Sequence, residues 1–455
     1  MFLLLASGNG RLLILPDLNM GGNKMKISRF TTIVRKEGYY LLHNTLFNSI
    51  MRVYGEKSRS FIDSIEDGRT FNMDENSPFL CALKKLNMIV DELTDELATL
   101  NSLFYEFERN SELYVMLIVT RRCNFRCAYC YEEYSDTDMS NEVFRNVLNY
   151  VIGQIERRHY KNVYISFFGG EPTLMSYKII DFMKELQERN SRLQLPSNIC
   201  GIITTNGYLL TKNLLDKFLS CNIIRYQITV DGLEEDHDSS RYLSNGQGTW
   251  NQIIGNLYNF KSISNSNVSV LLRTNVTPLI YEHIDEWLEF IHDNFSEPVY
   301  RVHFEAAKDF GKMNDQSFGL LDDETSVMMD IIDKAKHWNL PLEIVGFNTL
   351  PFSMICYAAR QLSFIVDYDG TVKKCTSSAL DDPANSIGQL NRSGMVIDIQ
   401  KSAQWTSYEL SERCKLCKVL PICYRRKCPV AKETYDGCEL INKVYLKGLE
   451  YFYTV

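Results

Sequence analysis

Histidine is scarce in this chain, seven residues in 455, and none lies near the loop that groups its first three clustered cysteines. Long apolar runs are missing, so no segment reads as a membrane span. The one apolar start, Met1-Phe-Leu-Leu-Leu-Ala-Ser, has no positive charge before it and runs for only about five or six residues, too short for an export signal. Residues 1–25 therefore read as a non-native or disordered start, with Met25 as the first native residue. There is no long basic block, and the formal net charge is −8, which argues against nucleic acid as the main partner. A secreted disulfide scaffold would be shorter and denser in cysteine. What remains is a chain long enough for two or three domains, 45% apolar, and well able to build a core.

Cysteine is what the chain has. Of thirteen, ten fall in patterned groups, which in a large α/β-like chain read as metal ligands in a reducing cytosol. Cys81, Cys200 and Cys221 stand apart and read as core residues. The first group is Thr120-Arg-Arg-Cys123-Asn-Phe-Arg-Cys127-Ala-Tyr129-Cys130. An apolar run at 113–119 feeds into it and reads as a buried strand, and the loop after such a strand is where an α/β sheet places its chemistry. Soft thiolates select zinc, copper(I) or iron–sulfur clusters. Zinc sites and ordinary clusters usually take four ligands. This loop supplies three, which leaves one metal position for a small molecule. The competing reading is three buried cysteines acting as small apolar residues; the charged Arg121, Arg122 and Arg126 among them speak against it.

From residue 113 onward strand and helix patterns alternate. Strands are expected at 113–119, 163–168, 199–204, 224–230, 268–275 and 299–304, with amphipathic helices at 141–157, 177–188, 211–219, 250–261 and 280–292. Six parallel strands with intervening helices make an α/β fold, a partial (β/α)6 barrel, whose ligands gather at the carboxyl ends of the strands. The motifs lie at those ends. Gly169-Gly170-Glu171-Pro172 follows the second strand; glycines let a backbone approach a ligand closely, and the glutamate can pair with an ammonium. Thr204-Thr-Asn206-Gly207 follows the third. Thr229-Val-Asp231-Gly232 and His237-Asp238-Ser-Ser-Arg241 follow the fourth, and Arg273-Thr-Asn275-Val closes the fifth. The first two alone read as turns by default, His237 reads as a helix-start histidine, and the last motif is given no role.

Taken in this order, the motifs resemble those of the radical S-adenosylmethionine (SAM) enzymes over roughly residues 113 to 307. The resemblance implies a [4Fe–4S] cluster on Cys123, Cys127 and Cys130, with the aromatic Tyr129 before the last cysteine. SAM would bind the remaining iron and be cleaved to a 5′-deoxyadenosyl radical that abstracts hydrogen from a substrate. It further implies SAM contacts from Tyr129, Gly169, Gly170, Glu171, Asn206, Thr229 and Arg241. Thr229 stands where many relatives carry serine and keeps the hydroxyl. Arg241 would clamp the carboxylate, a task suited to a guanidinium fork. No catalytic acid or base is legible.

Residues 26–108 read as a separate module. Strands at 27–34 and 39–43 flank a turn at Arg35-Lys-Glu-Gly38. Helices are expected at 46–54, 61–65 and 78–86, a short strand at 87–91, and an amphipathic helix at 94–108 with Thr94 as N-cap. A hairpin with several helices suits a small winged-helix-like module. In peptide-modifying relatives such a module binds the leader segment of a substrate peptide by strand addition; the alternative is a cap on the barrel with no binding role.

The remaining patterned cysteines are Cys356, Cys375, Cys414, Cys417, Cys423, Cys428 and Cys438, in a region, 351–455, that follows a helical linker at 311–350 and a radical SAM core at 109–310. A strand-like segment at 363–368 and a turn at Asp369-Gly370 precede Cys375. Cys414-x-x-Cys417 could build a zinc ribbon, but seven cysteines fit one zinc site poorly. Their order resembles the SPASM domain of peptide-modifying radical SAM enzymes, which implies two auxiliary [4Fe–4S] clusters. One would use Cys414, Cys417, Cys423 and Cys438, the other Cys356, Cys375 and Cys428. The gap from Cys356 to Cys375 is longer than usual, and four residues rather than three separate Cys423 from Cys428.

These resemblances imply a cytoplasmic enzyme with three [4Fe–4S] clusters and SAM, which modifies a ribosomally made precursor peptide bearing a leader, by a thioether or carbon–carbon cross-link. An electron donor such as a flavodoxin or ferredoxin is implied, and neither nucleic acid nor membrane. The alternative is an anaerobic sulfatase-maturating enzyme that makes formylglycine. Enzymes of that type carry an aspartate base in a Gln-Tyr-x-Asp motif, where this chain has Cys375-Thr-Ser-Ser-Ala-Leu-Asp381-Asp382. A non-catalytic zinc-ribbon protein is the distant third reading.

Overall fold

The computed structural model describes residues 25–67, 77–110, 112–308, 319–343, 349–377, 382–407, 410–424 and 438–453. The apolar start, Asp381 and Cys428 lie outside the described residues.

The chain begins with β1 (Met25–Ile27), β2 (Thr31–Lys36), β3 (Tyr39–Asn44) and β4 (Ser49–Tyr54), then α1 (Glu56–Glu66), α2 (Pro78–Lys85), β5 (Ile89–Asp91) and α3 (Glu96–Arg109). Strands β2, β3 and β4 form an antiparallel sheet, and β1 pairs with β5. The expected helix at 46–54 is therefore strand β4. Its pairing explains the misleading pattern. Leu42 sits opposite Met51 and His43 opposite Ile50. Met51 and Val53 bury against Phe61 and Leu83 on one face, while Leu41 and Ile50 bury against Tyr445 and Leu449 on the other. A strand apolar on both faces loses the period of two and imitates a helix. The expected strand at 27–34 is interrupted by a turn between β1 and β2. Asp95, not Thr94, caps α3, its carboxylate accepting from the Leu97 and Ala98 amides at 3.1 and 3.0 Å. A carboxylate there also meets the positive end of the helix dipole. Cys81 is exposed, since α2 buries Phe79, Leu80 and Leu83 instead; Cys200 and Cys221 are buried as expected.

The barrel follows: β6 (Leu113–Thr120), α4 (Asn141–Arg158), β7 (Asn162–Gly169), α5 (Ser176–Ser191), β8 (Asn198–Thr205), α6 (Lys212–Ser220), β9 (Ile223–Thr229), α7 (Glu234–Ser240), α8 (Trp250–Leu257), β10 (Ser269–Val276), α9 (Pro278–Glu282), α10 (Ile284–Asn294), β11 (Tyr300–Ala306) and α11 (Glu324–His337). Strands β6 to β11 are parallel and neighbour one another in chain order. That is the partial barrel. Alternation sorts its faces. Leu113, Val115, Leu117 and Val119 of β6, with Val163, Ile165 and Phe167 of β7, enter the main core beneath the helices. Met116 and Ile118 point the other way and meet Phe168 and Ile365 in a separate cluster that lines the inner face. Helix α11, expected as a linker, instead buries Met328, Ile331, Ile332 and Ala335 in the main core as the last helix of the barrel.

The C-terminal part holds β12 (Ser363–Val366), β13 (Thr371–Lys373), β14 (Ser386–Asn391), β15 (Gly394–Ile397), α12 (Ile399–Thr406), α13 (Glu412–Lys415), α14 (Leu420–Cys423) and α15 (Cys438–Tyr453). Strand β12 runs parallel to β6 and extends the barrel sheet; β13, β14 and β15 continue it as an antiparallel meander. The N-terminal module docks on this part: Phe30, Leu46 and Phe104 pack with Phe352, Leu420 and Tyr424. No helix among the described residues is long and apolar enough to cross a membrane.

Candidate active site at the strand ends

The cysteine loop leaves β6 and is strapped at several points. Arg126 and Ala128 donate their amides to the carbonyls of Tyr242 and Ser240 at 2.9 Å each, and Ser244 donates to the Asn124 carbonyl at 2.9 Å. Arg126 also donates its guanidinium to the Cys123 carbonyl at 3.0 Å. None of the three cysteines is in a disulfide among the described residues. Burial pushes the Cys123 thiol up to about 12, with Glu171 and the other two cysteines adding to it. Burial also pushes Cys127 up to about 11, against the pull of Arg241, and raises Cys130. The three thiols thus act on one another electrostatically in a site that disfavours free thiolates, where binding of a metal centre must displace their protons.

The two glycines at the end of β7 let two backbone segments approach closely. An added Cβ on Gly169 would lie 2.1 Å from the Thr120 carbonyl oxygen, and one on Gly170 would lie 2.3 Å from that of Arg122. Gly169 adopts φ +122°, a region closed to residues with side chains. The amides of Gly170 and Glu171 donate to the Thr120 and Arg122 carbonyls at 3.0 and 2.8 Å. The glycines let this loop close onto the backbone that leads into Cys123. The Glu171 carboxylate is turned into the protein. It is 1% exposed. It accepts from the Thr173 amide and hydroxyl, from the Thr205 hydroxyl at 2.7 Å and from the Asn206 amide at 2.7 Å. It braces the loops after β7 and β8, and Asn206 passes the brace on by donating its side chain to Asn124 Oδ1 at 2.8 Å. Burial raises the Glu171 carboxyl, and these donors oppose the rise.

Tyr129 is the junction of the site. Its hydroxyl donates to Asp231 Oδ2 and accepts from Arg241 Nη1 at 2.5 Å and from Asn275 Nδ2 at 3.0 Å. Asn275 donates its amide to Asp231 Oδ1 at 2.7 Å. The Asp231 amide donates to His237 Nδ1 at 3.1 Å, so Nε2 carries the proton toward Thr249 Oγ1, which in turn donates to the Arg241 carbonyl. Burial holds His237 well below its usual range, and Arg241 adds to the effect. Asp231, His237 and Asn275 are members of this network that the sequence reading left without a role. Thr229 ends β9 in register with Arg273 and has the parity of the inner face.

A bound group is tested by what is left over. Arg241 is buried, yet its Nε has no hydrogen-bond partner among the described residues. That N–H, beside the cysteine loop, suits an anionic ligand group. Among the described residues no three histidine, cysteine or acidic side chains converge on a single metal ion. A cubane cluster differs, since each cysteine sits on its own iron. The donor set therefore fits a cluster with one open position and an anionic ligand reaching Arg241.

In the second cysteine region, Cys356 and Cys375 both act on the Tyr357 hydroxyl, which burial first of all raises well above its usual value. Cys414 and Cys417 pack against the aromatic group of Phe30, Phe104, Phe352 and Tyr424. Cys423 ends α14 and Cys438 begins α15.

The profile of the Radical SAM superfamily matches residues 117–293. The chain carries a radical SAM domain. That domain is an enzyme's, and its family binds SAM at a [4Fe–4S] cluster. Across 361 residues the chain is 25% identical to a cysteine-type anaerobic sulfatase-maturating enzyme of Clostridium novyi (strain NT), covering 72% of this chain and 92% of that protein. Native anSMEcpe with bound AdoMet superposes with a TM-score of 0.56 at 19% identity, over 74% of this chain and 96% of that one; the same protein is also known with a Cp18Cys peptide. Streptococcus suis SuiB bound to precursor peptide SuiA superposes with a TM-score of 0.50 at 15% identity, over 88% of this chain and 94% of that one. These likenesses bear out the partial-barrel fold.

Proposed function

We infer that the enzyme modifies a ribosomally made peptide, forming a thioether or carbon–carbon cross-link. The observation that carries this reading is the N-terminal module. Its three-stranded sheet is docked on the cysteine-rich part, and β2 and β4 are edge strands among the described residues. Such edges suit an added strand from a leader segment. The likeness to SuiB extends over 88% of this chain, and SuiB is known with its precursor peptide, which supports a peptide partner. An electron donor such as a flavodoxin or ferredoxin goes with the reading, as does a cytoplasmic setting.

Cys123, Cys127 and Cys130 would hold the core cluster, and SAM would lie toward Arg241, Asn206 and Thr229, with the Gly169–Glu171 loop shaping the pocket through its backbone. Cys414, Cys417, Cys423 and Cys438 would hold one auxiliary cluster, and Cys356, Cys375 and Cys428 the other. When bound, the core cluster and SAM supply a 5′-deoxyadenosyl radical able to take hydrogen from an unactivated carbon. The chain's own residues orient and enclose. Tyr129 fixes Asp231, Arg241 and Asn275 around the pocket; Arg241 offers its spare N–H; the apolar inner face of Met116, Ile118 and Phe168 excludes water.

The likeness to the Clostridium novyi enzyme, over 92% of its length, favours a second reading, formylglycine formation on a sulfatase. One experiment separates them. Protein purified without oxygen is assayed for iron, sulfide and SAM cleavage, then incubated with a candidate precursor peptide and with a sulfatase-derived peptide. A precursor product lighter by a pair of hydrogens, with its sulfur retained, is the expected result. Loss of sulfur from the sulfatase peptide alone would overturn the cross-linking reading, and zinc without iron would overturn both.

A further inference from the structure

Asp367 sits directly after β12, where the parallel pairing with β6 and the hairpin to β13 bring three backbone segments together. Its side chain is 2% exposed. Oδ2 accepts from Arg121 Nη2 at 2.7 Å and pairs with Lys373 Nζ at 2.9 Å, and those side chains are only 8% and 4% exposed. Oδ1 accepts from the Tyr368 amide at 2.8 Å, and the Asp367 amide donates to the Thr371 carbonyl at 2.9 Å. The Arg121 guanidinium lies 5.1 Å from the centre of the Tyr368 ring. The sheet register explains the meeting: Val366 lies opposite Leu117 on one side and Val372 on the other.

The sequence positions of the two cations matter. Arg121 stands two residues before Cys123, and Lys373 two before Cys375. One buried carboxylate therefore joins the backbone entering the first cysteine loop to the backbone entering the second cysteine region. Both Cys130 and Cys375 act electrostatically on the buried Tyr131 hydroxyl, after burial, Glu132 and Arg273. The Glu132 carboxyl is acted on, after burial, by Arg121, Asp367 and Lys373. Burying three charges is costly unless they are held in good geometry, so the arrangement is a demanding one to keep for a simple hairpin anchor.

We propose that Asp367 is a positioning residue shared by the two cysteine regions, whose charge sets the reduction potentials of the core and auxiliary clusters together. It rests on the reading above that Cys375 holds an auxiliary cluster. Cluster potentials respond to nearby net charge, and in a buried site that response is weakly screened. Asp367 acts through Arg121 and Lys373 and needs no contact with substrate.

The test uses the full chain, reconstituted without oxygen, with iron counted and midpoint potentials read by electron paramagnetic resonance during a redox titration. Asp367→Asn removes an anion, so the potentials of both regions should rise. Lys373→Met removes a cation, so both should fall. The double variant Asp367→Asn/Lys373→Met restores the balance and should return both close to the parent. A merely structural residue would not give opposite shifts that cancel. With about twelve irons per chain, shifts of one sign in both single variants, or none, or movement of one region alone, overturn the proposal and leave the cluster reading intact. If Asp367→Asn does not load iron, Lys373→Met and the double variant decide by the same criterion. A parent chain with only about four irons overturns the auxiliary-cluster reading and this proposal with it.

Discussion

The hydroxyl of Tyr129 meets an aspartate, an arginine and an asparagine that lie 102, 112 and 146 residues away along the chain. Phenylalanine at this position would keep the ring and remove all three bonds, leaving Asp231 and Asn275 each short of a partner in a buried setting. Tyr129→Phe should lower stability by about 1–3 kcal/mol, read as a shifted midpoint in anaerobic urea unfolding; an unchanged midpoint would count against the junction. At this scale the sequence was informative about identity and poor about partnership. The spacing of Cys123, Cys127 and Cys130 and the order of the later motifs identified the superfamily domain. They could not reveal that Gly169 and Gly170 approach the backbone of Thr120 and Arg122, or that Glu171 spends its oxygens on Thr173, Thr205 and Asn206, because those contacts depend on the register between separate strands. Nothing local in Thr229-Val-Asp231-Gly232 says that Asp231 and not Thr229 would hold the network together.

At the scale of elements, periodicity served the barrel well and the N-terminal module less well. Strands buried on both faces between helices read as short apolar runs bounded by turns, and all six barrel strands fell where expected. Strand β4 did not, because its two faces are covered by different partners and the pattern of Ile50, Met51 and Val53 satisfies a helix equally. The start of α3 was displaced by one residue, a difference that capping chemistry can resolve. Asp95→Ala should cost about 1 kcal/mol, whereas Thr94→Ala should stay within about 0.5 kcal/mol of the parent. Thermal unfolding of the two variants side by side checks the assignment, and equal losses would show that the helix start is shared. The β12–β13 hairpin was legible as a strand and turn before Cys375. Its pairing with β6 was not, since nothing in either segment names the other.

At the scale of the molecule, the N-terminal module and the C-terminal helix are joined by a buried histidine. His43 Nδ1 lies 2.7 Å from the Tyr445 hydroxyl, and Nε2 lies 3.1 Å from Asn48 Oδ1. Burial lowers its pKa from 6.5 to about 4, although Asn48 opposes the shift. The unfolded chain thus takes up a proton before the folded one does. The stability tied to this neutral imidazole is complete above about pH 6.5 and is lost as pH falls toward about 4, by at most about 3 kcal/mol. Comparing the parent with His43→Gln across that range should give a stability difference that slopes with pH inside the window and is flat above it. Parallel curves would refute the assignment.

The place of β12 in the sheet also bears on how the protein is made. Strand β6 finds its neighbour on one side in β7, about forty residues on, but its neighbour on the other side is β12, which the ribosome delivers roughly 240 residues later. At about 5–20 residues per second that is an interval of tens of seconds. A barrel that folds as it emerges holds one side of its first strand bare for all that time. Until about four-fifths of the chain has been translated, the Arg121 side chain also waits for the carboxylate of Asp367. Completion of the sheet and joining of the two cysteine regions are one late event in the life of each new molecule.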